Sequence, residues 1–390
     1  MYNILTLNAI SPKGLNKLPS DEFCISDKSE NPDGIIVRSA DMHSYELPKT
    51  LLAIARAGAG TNNIPSDKCA EKGVVVFNTP GANANAVKEL VICGLLLSSR
   101  KVVEAYEWTK TLKGQPDMSK LVEAGKKKFA GPEILGKKLG VLGLGAVGVQ
   151  VANAAVALGM KVVGYDPFLS LSNAWHISCE VCLATTVEKV FEECDYVTIH
   201  IPQNPSTIGM FNKEVLSHAK KGCRLLNFSR GGLVVDDDIK AALEDGTLAK
   251  YVTDFASETL LGLENVIALP HLGASTPESE ENCAVMAALE VSDFLKYGNI
   301  KNSVNYPNCE APYTGKARVT IAHKNIPNMV GSITSTFAKY NLNIDNMINK
   351  SKGNWAYTII DLDTLDGKNS IANELGKLNG VVKARIVREN

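Results

Sequence analysis

Between residues 135 and 271 short apolar runs alternate with stretches of helical periodicity. The runs 139–144, 161–165, 196–201, 224–228, 251–255 and 266–269 read as strands, with helices at 147–158 and 237–244 among the intervening segments. The second helix opens on three aspartates, which suit the positive end of a helix dipole, and stops at Gly246. Several of the runs are apolar at every position, as parallel strands covered on both faces require. The pattern predicts a doubly wound α/β domain.

The same style recurs at the start of the chain, with strands expected at 4–7, 34–38, 52–56 and 74–78. A long helical pattern over 276–297 follows the central segment, so the chain is expected to leave the first domain, build the second and return. Residues 305–315 (NYPNCEAPYTG) break into Pro, Asn and Gly and read as a linker. Beyond it, strands at 318–322, 343–350, 355–361 and 383–387 and helices at 329–340 and 370–378 give the order βαββαβ. That is a ferredoxin-like unit. The expected division is 1–92 with 276–305 as one flavodoxin-like domain, 93–275 as a Rossmann domain, 306–315 as linker and 316–390 as the small C-terminal domain.

Composition narrows the function classes. A formal net charge of −1 provides no global field for nucleic acid or an anionic membrane, so any anion site must come from local cations or backbone amides. The N-terminal residues alternate like a strand and lack the basic and cleavage regions of an export signal, so a cytoplasmic protein is expected. Nine cysteines, an odd and scattered set, read as buried hydrophobes. Cys179 and Cys182 have the spacing of a zinc half-site without a second half, and no metal is expected.

Gly143, Gly145 and Gly148 form G-x-G-x-x-G between an expected strand and helix. The first glycine permits the tight turn, the second lets a pyrophosphate approach the backbone, and the third lets helix and strand pack closely. The next strand ends at Asp166, 23 residues after Gly143, where a carboxylate can accept the hydroxyls of an adenosine ribose. With no arginine adjacent, NAD is favoured over NADP.

Ligands of open α/β sheets bind beyond the carboxyl ends of the strands. Arg230, Glu258 and His271 fall at three such ends. Transfer of hydride from a hydroxy acid calls for these types: a base for the hydroxyl proton, a two-pronged cation for the carboxylate, and an anion to tune the base.

The segments GLGAVG, GYDP, NFSRGG, DFASE, PHLGAST, RAGAGTNNI and FNTPGANANAVKEL together resemble the D-isomer-specific 2-hydroxyacid dehydrogenase family over nearly the whole chain. The resemblance implies Arg230 on the substrate's carboxylate and C2 oxygen, His271 as acid/base and Glu258 as its partner. It also implies NAD contacts from Ala146, Val147, Asp166, Phe228, Ser229, Arg230, Asp254, His271, Leu272, Gly273 and Ala274, with Asp254 facing the nicotinamide. The family segment D-V-F-x-x-E-P is one residue shorter here and lacks the proline, and Glu264 is the other carboxylate downstream.

Arg38 and Arg56 are expected at strand ends of the first domain, with Ala57 and Gly58 beside them. Two cations there suit a phosphorylated substrate. The resemblance then implies oxidation of D-3-phosphoglycerate to 3-phosphohydroxypyruvate, the first step of phosphorylated L-serine synthesis. The alternatives are another hydroxy acid (glycerate, glyoxylate or lactate) and an NAD-sensing protein without catalysis. The C-terminal unit resembles the amino-acid-binding ACT domain, which implies an L-serine effector held by His323, Asn325 and Asn343; Asn328 stands where a glycine commonly follows the proline. A homodimer or homotetramer is implied as well.

Overall fold

The computed structural model describes residues 1–313, 317–365 and 370–387. Residues 314–315 of the expected linker, and 316, 366–369 and 388–390 of the expected C-terminal domain, lie outside them. The chain divides into two compact units, Met1–Asn83 together with the segment from Pro277 onward, and Ala84–Thr276.

The first unit begins with strands β1 (Tyr2–Leu7), β2 (Phe23–Ser26), β3 (Gly34–Val37), β4 (Ala53–Arg56) and β5 (Val75–Phe77). They form a parallel sheet in the order β2-β1-β3-β4-β5, the flavodoxin-like arrangement. β3 and β5 are buried at every residue, which explains their unbroken apolar sequence. β2 escapes the sequence pattern because its run is short and carries Cys24 and Ser26.

The second unit contains β6 (Lys138–Leu142), β7 (Lys161–Tyr165), β8 (Cys182–Leu183), β9 (Tyr196–Ile199), β10 (Cys223–Asn227), β11 (Leu248–Thr253) and β12 (Val266–Ala268). Their order, β12-β11-β10-β9-β6-β7-β8, is parallel throughout and reverses direction beside β6. That reversal is the Rossmann switch point, where a crevice opens above the strand ends.

The sequence reading ends the first segment at residue 92, whereas the first unit ends at Asn83. The cause is the helix Ala84–Ser99, whose Val87, Val91 and Leu95 bury in one cluster with Val141 and Val149 of the Rossmann unit. Gly94 permits this packing, since a Cβ there would lie 2.7 Å from the Phe228 ring. The helix Pro277–Tyr297 instead buries Ala287, Val291 and Leu295 in the core of the first unit.

Strands β13 (Ala317–Lys324), β14 (Ile344–Lys352), β15 (Trp355–Leu362) and β16 (Val381–Val387) form an antiparallel sheet in the ferredoxin-like order β14-β15-β13-β16. This sheet lies in the same compact unit as the first one. One sheet face packs on its own helices through Ile321, Ile333 and Phe337. The other shares a core with the first sheet, where Tyr357 and Ile359 join Phe77 and Phe294.

Polar anchors reinforce that junction. Arg318, fully buried, donates from Nε and Nη2 to both carboxylate oxygens of Asp361 at 2.6 and 3.0 Å, and from Nη1 to the Tyr297 carbonyl at 3.0 Å. Lys383 Nζ donates to the Leu51 carbonyl at 2.7 Å. A buried ion pair tolerates its desolvation only when every remaining proton finds an acceptor, as the carbonyls around Arg318 provide.

Candidate active site

The glycine-rich turn sits at the switch point of the second sheet. Gly143 ends β6 at φ +92°, and a Cβ there would lie 2.7 Å from the His200 carbonyl oxygen. At Gly148, in the helix Ala146–Ala157, a Cβ would lie 1.9 Å from the Gly143 carbonyl oxygen. Gly145 differs: nothing lies within 4 Å of its Cβ position. Two glycines therefore fold the turn, while the third leaves one side of it bare at a helix N-terminus, where amides and dipole favour phosphate.

Asp166 follows β7. Its Oδ2 accepts the Leu144 N–H at 2.8 Å and its Oδ1 the Phe168 N–H at 2.8 Å. The carboxylate thus fixes the turn and keeps a lone pair on each oxygen for ribose hydroxyls.

Neighbouring strands β10, β11 and β12 bring the other residues to the same edge. After β10, buried Asn227 shapes the turn by accepting the Ser229 N–H at 3.1 Å and donating to the Arg230 carbonyl at 2.9 Å. Ser229 Oγ ties the turn to the Ile201 carbonyl at 2.6 Å. Arg230 Nη1 donates to the Ser229 carbonyl at 2.7 Å.

After β11, Asp254 is 1% exposed. Its Oδ2 accepts the Gly273 N–H at 3.0 Å, and its Oδ1 is buried with no hydrogen-bond partner. Burial pushes this carboxyl upward, against the opposing pull of the Gly273 amide and His271. A buried acceptor without a donor costs about 1–3 kcal/mol, and a carboxamide N–H would satisfy it. The residues present therefore fit a nicotinamide.

His271 follows β12, exposed, with its ring 4.7 Å from that of Phe255. Glu258 does not join it. Its side chain is exposed in the turn after β11, which buried Leu260 anchors, and no hydrogen bond links it to His271. Glu264 has none either among the described residues.

In the first unit, Arg38 and Arg56 lie at adjoining strand ends, since Val37 of β3 pairs with Arg56 of β4. Arg38 Nη2 contacts Glu280 Oε1 at 2.6 Å, and Arg56 Nε donates to the Arg38 carbonyl at 3.0 Å. Gly58 makes room for the second arginine: a Cβ there would lie 1.7 Å from Arg56 Nη1. Ala57 is buried between them in sequence, its N–H bonded to the Val37 carbonyl at 2.8 Å.

Sequence reasoning missed Glu280 and Asn227. Glu280 stands far from Arg38 in the chain, and Asn227 reads as one more residue of an apolar strand. His200 was missed too; desolvation pushes its imidazole down to about 3, so it stays neutral.

The three residues assigned to an effector do not converge within the chain. His323 is buried, with Nδ1 on the Lys324 carbonyl at 2.9 Å and Nε2 on Thr358 Oγ1 at 2.8 Å. Asn325 Nδ2 donates to the Gly353 carbonyl at 3.1 Å. Asn343, at the other end of the sheet, donates to Asp363 Oδ2 at 2.6 Å. Asn328 adopts φ +62°, the left-handed conformation that explains the usual glycine and that asparagine tolerates.

Among the described residues no group of three His, Cys, Asp or Glu side chains is placed to hold a metal ion, and no helix is long and apolar enough to cross a membrane. Cys179 and Cys182 are exposed free thiols.

The Rossmann switch point thus carries a glycine turn open to a phosphate, a carboxylate with lone pairs free for hydroxyls and an edge of ionisable residues, an arrangement that fits a dinucleotide. Residues 93–273 match the family model "D-isomer specific 2-hydroxyacid dehydrogenase, NAD binding domain", and that segment is an NAD-binding domain of that type, with NAD as cofactor. The chain's curated relatives include the D-3-phosphoglycerate dehydrogenases of Rattus norvegicus, 36% identical over 70% of this chain and 50% of the relative, and of Bacillus subtilis, 30% identical over 87% and 65%. The chain spans about half the length of most of the curated relatives it matches.

Among solved structures, the NAD+-bound 3-phosphoglycerate dehydrogenase of Entamoeba histolytica aligns with TM-score 0.59 and 25% identity, covering 78% of this chain and 98% of that one. The apo D-mandelate dehydrogenase of Rhodotorula graminis aligns with TM-score 0.67 at 23% identity, a likeness of fold.

Proposed function

We propose that this protein oxidises D-3-phosphoglycerate to 3-phosphohydroxypyruvate with NAD, the reaction that opens the phosphorylated route to L-serine. The observation that carries this reading is the arrival of Arg230, Asp254 and His271 at the carboxyl ends of three adjoining strands, beside the glycine-rich turn. The relatives named D-3-phosphoglycerate dehydrogenase and the Arg38–Arg56 pair support the phosphorylated substrate.

Bound NAD supplies the hydride acceptor. The guanidinium of Arg230 grips the substrate carboxylate and steadies the C2 oxygen as it becomes a carbonyl. His271 takes the C2 hydroxyl proton on an imidazole nitrogen. Glu258 is assigned to orient that imidazole; it has no hydrogen bond among the described residues, so its approach to His271 breaks nothing. Arg38 and Arg56 hold the phosphate, with Glu280 as the carboxylate that Arg38 exchanges for it. Each charge-assisted contact contributes roughly 1.5–3 kcal/mol.

In this reading the protein is cytoplasmic and a homodimer or homotetramer, and L-serine acts on the C-terminal sheet. Within one chain His323 and Asn343 lie at opposite ends of that sheet, so a serine site using both needs two copies.

The test is appearance of reduced nicotinamide with D-3-phosphoglycerate, D-glycerate and D-lactate. Turnover of the phosphorylated acid alone supports the assignment. Equal turnover of all three removes the role of Arg38 and Arg56, and none with intact NAD binding leaves a nucleotide sensor.

A further inference from the structure

The second unit has a cavity at the end of its sheet that the dinucleotide does not use. It measures about 180 Å³ and lies at the amino ends of adjoining strands β6, β9 and β10, lined by Lys137, Asp195, Lys220, Lys221 and Arg224 among others. A five-residue strand such as β6 separates it from Gly143 by roughly 15 Å. Nothing in the dehydrogenase chemistry calls for a cavity there.

Its charge is one-sided. Four cations face one carboxylate, and that carboxylate is spoken for: Asp195 Oδ1 accepts Lys220 Nζ at 2.6 Å and Oδ2 accepts the Lys138 N–H at 3.0 Å. Burial alone would raise the Asp195 carboxyl, but these donors and Lys137 outweigh it and hold it below the ordinary carboxylate range. Asp195 therefore pairs with Lys220, and none of Lys137, Lys221 and Arg224 has a salt bridge among the described residues; the longer-range influence of Lys137 on Asp195 and of Lys221 on Asp245 leaves their donors open.

Arg224 is the built part of the site. It is partly buried, its Nε donates to the Ser98 carbonyl at 3.0 Å, and its guanidinium stacks 5.3 Å from the centre of the Tyr196 ring. Tyr196 is in turn bonded to Ser99 Oγ at 2.8 Å. The guanidinium plane is thus fixed, and its two terminal nitrogens make no hydrogen bond among the described residues. A planar fork held in place beside two lysines is how proteins bind phosphate or carboxylate oxygens.

We propose that this cavity is a second anion site, which binds a small anion of two or more negative charges, of the phosphate or polycarboxylate class. The volume suits such an ion. With a chain net charge of −1, the local cations carry the attraction.

The test uses NAD-saturated full-length protein, so that the phosphate-binding turn is filled, and inorganic pyrophosphate at constant ionic strength. Thermal unfolding and titration calorimetry are read for wild type, the double variant Lys137→Gln/Lys221→Gln, and Arg38→Gln/Arg56→Gln. Both lysines are exposed, so the first variant folds. Pyrophosphate is expected to raise the wild-type Tm by roughly 2–4 °C. The lysine variant should bind it at least about tenfold more weakly, while the arginine variant keeps the wild-type response. No shift in wild type, an unchanged shift in the lysine variant, or a shift lost in the arginine variant would each overturn the proposal. So would stabilisation by a short RNA without any by pyrophosphate.

Discussion

Asp254 accepts the Gly273 N–H through one carboxylate oxygen and leaves the other buried without a partner. The first oxygen ties the segment after β11 to the segment that carries His271. The second is a desolvated acceptor at the carboxyl end of β11. One side chain therefore joins the two segments and holds an open acceptor at the strand ends.

Asp254→Ala removes both. NADH affinity, followed by fluorescence titration, should fall about 10- to 100-fold, the worth of one or two hydrogen bonds to a charged acceptor. An unchanged affinity would show that the free oxygen has no role in binding.

His271→Asn tests the proton transfer. It should lower kcat by about 10²–10⁴-fold and leave the NAD dissociation constant within a few-fold. Parallel losses in turnover and cofactor binding would make His271 a structural residue.

Arg38→Gln tests the phosphate assignment. It should raise KM for D-3-phosphoglycerate roughly tenfold or more, with little change for D-glycerate. Glu280→Gln should act in the opposite sense, because it removes the carboxylate that competes for Arg38. If both acids suffer alike, Arg38 holds the fold and not the phosphate.

Gly148→Ala places a Cβ 1.9 Å from the Gly143 carbonyl, a backbone atom that cannot swing aside. A loss of about 1–3 kcal/mol in unfolding free energy is expected, with loss of NAD binding. Gly145→Ala, open on that side, should retain stability and lose cofactor affinity.

Stability should also report on Glu290, in the long helix of the first unit. It is 8% exposed, Asn302 Nδ2 donates to its Oε1 at 2.7 Å, and burial pushes its carboxyl up to about 8. A folded-state value above the unfolded one means that the folded state holds the proton more tightly. Stability is then fully present below about pH 4.5 and declines as pH rises to about 8, with a slope approaching 1.4 kcal/mol per unit. Glu290→Gln, which cannot ionise, should flatten that part of the Tm profile. An equally steep profile in the variant would place the titration elsewhere.

Much of the architecture was legible in the chain. The strands of both parallel sheets are short apolar runs because both faces are covered, and Gly143, Gly145 and Gly148 stand where a strand turns tightly into a helix. Asp166, Arg230 and His271 were singled out by the same logic, as polar residues just beyond apolar strands, whereas Asp254 came from the family resemblance. β2 and β8 were not, being too short or too polar to leave a period.

Local pattern thus determined which segments become strands and which residues reach the strand ends, since those depend on the residues themselves and their neighbours. Tertiary structure decided the rest. The helix Ala84–Ser99 belongs to the Rossmann unit because Gly94 admits Phe228, and the C-terminal sheet joins the first unit because Tyr357 and Ile359 bury against Phe77 and Phe294. Arg38 meets Glu280, and Asp254 meets Gly273, across separations that no period encodes. Such pairings follow from which surfaces bury together, and burial is a property of the folded chain as a whole.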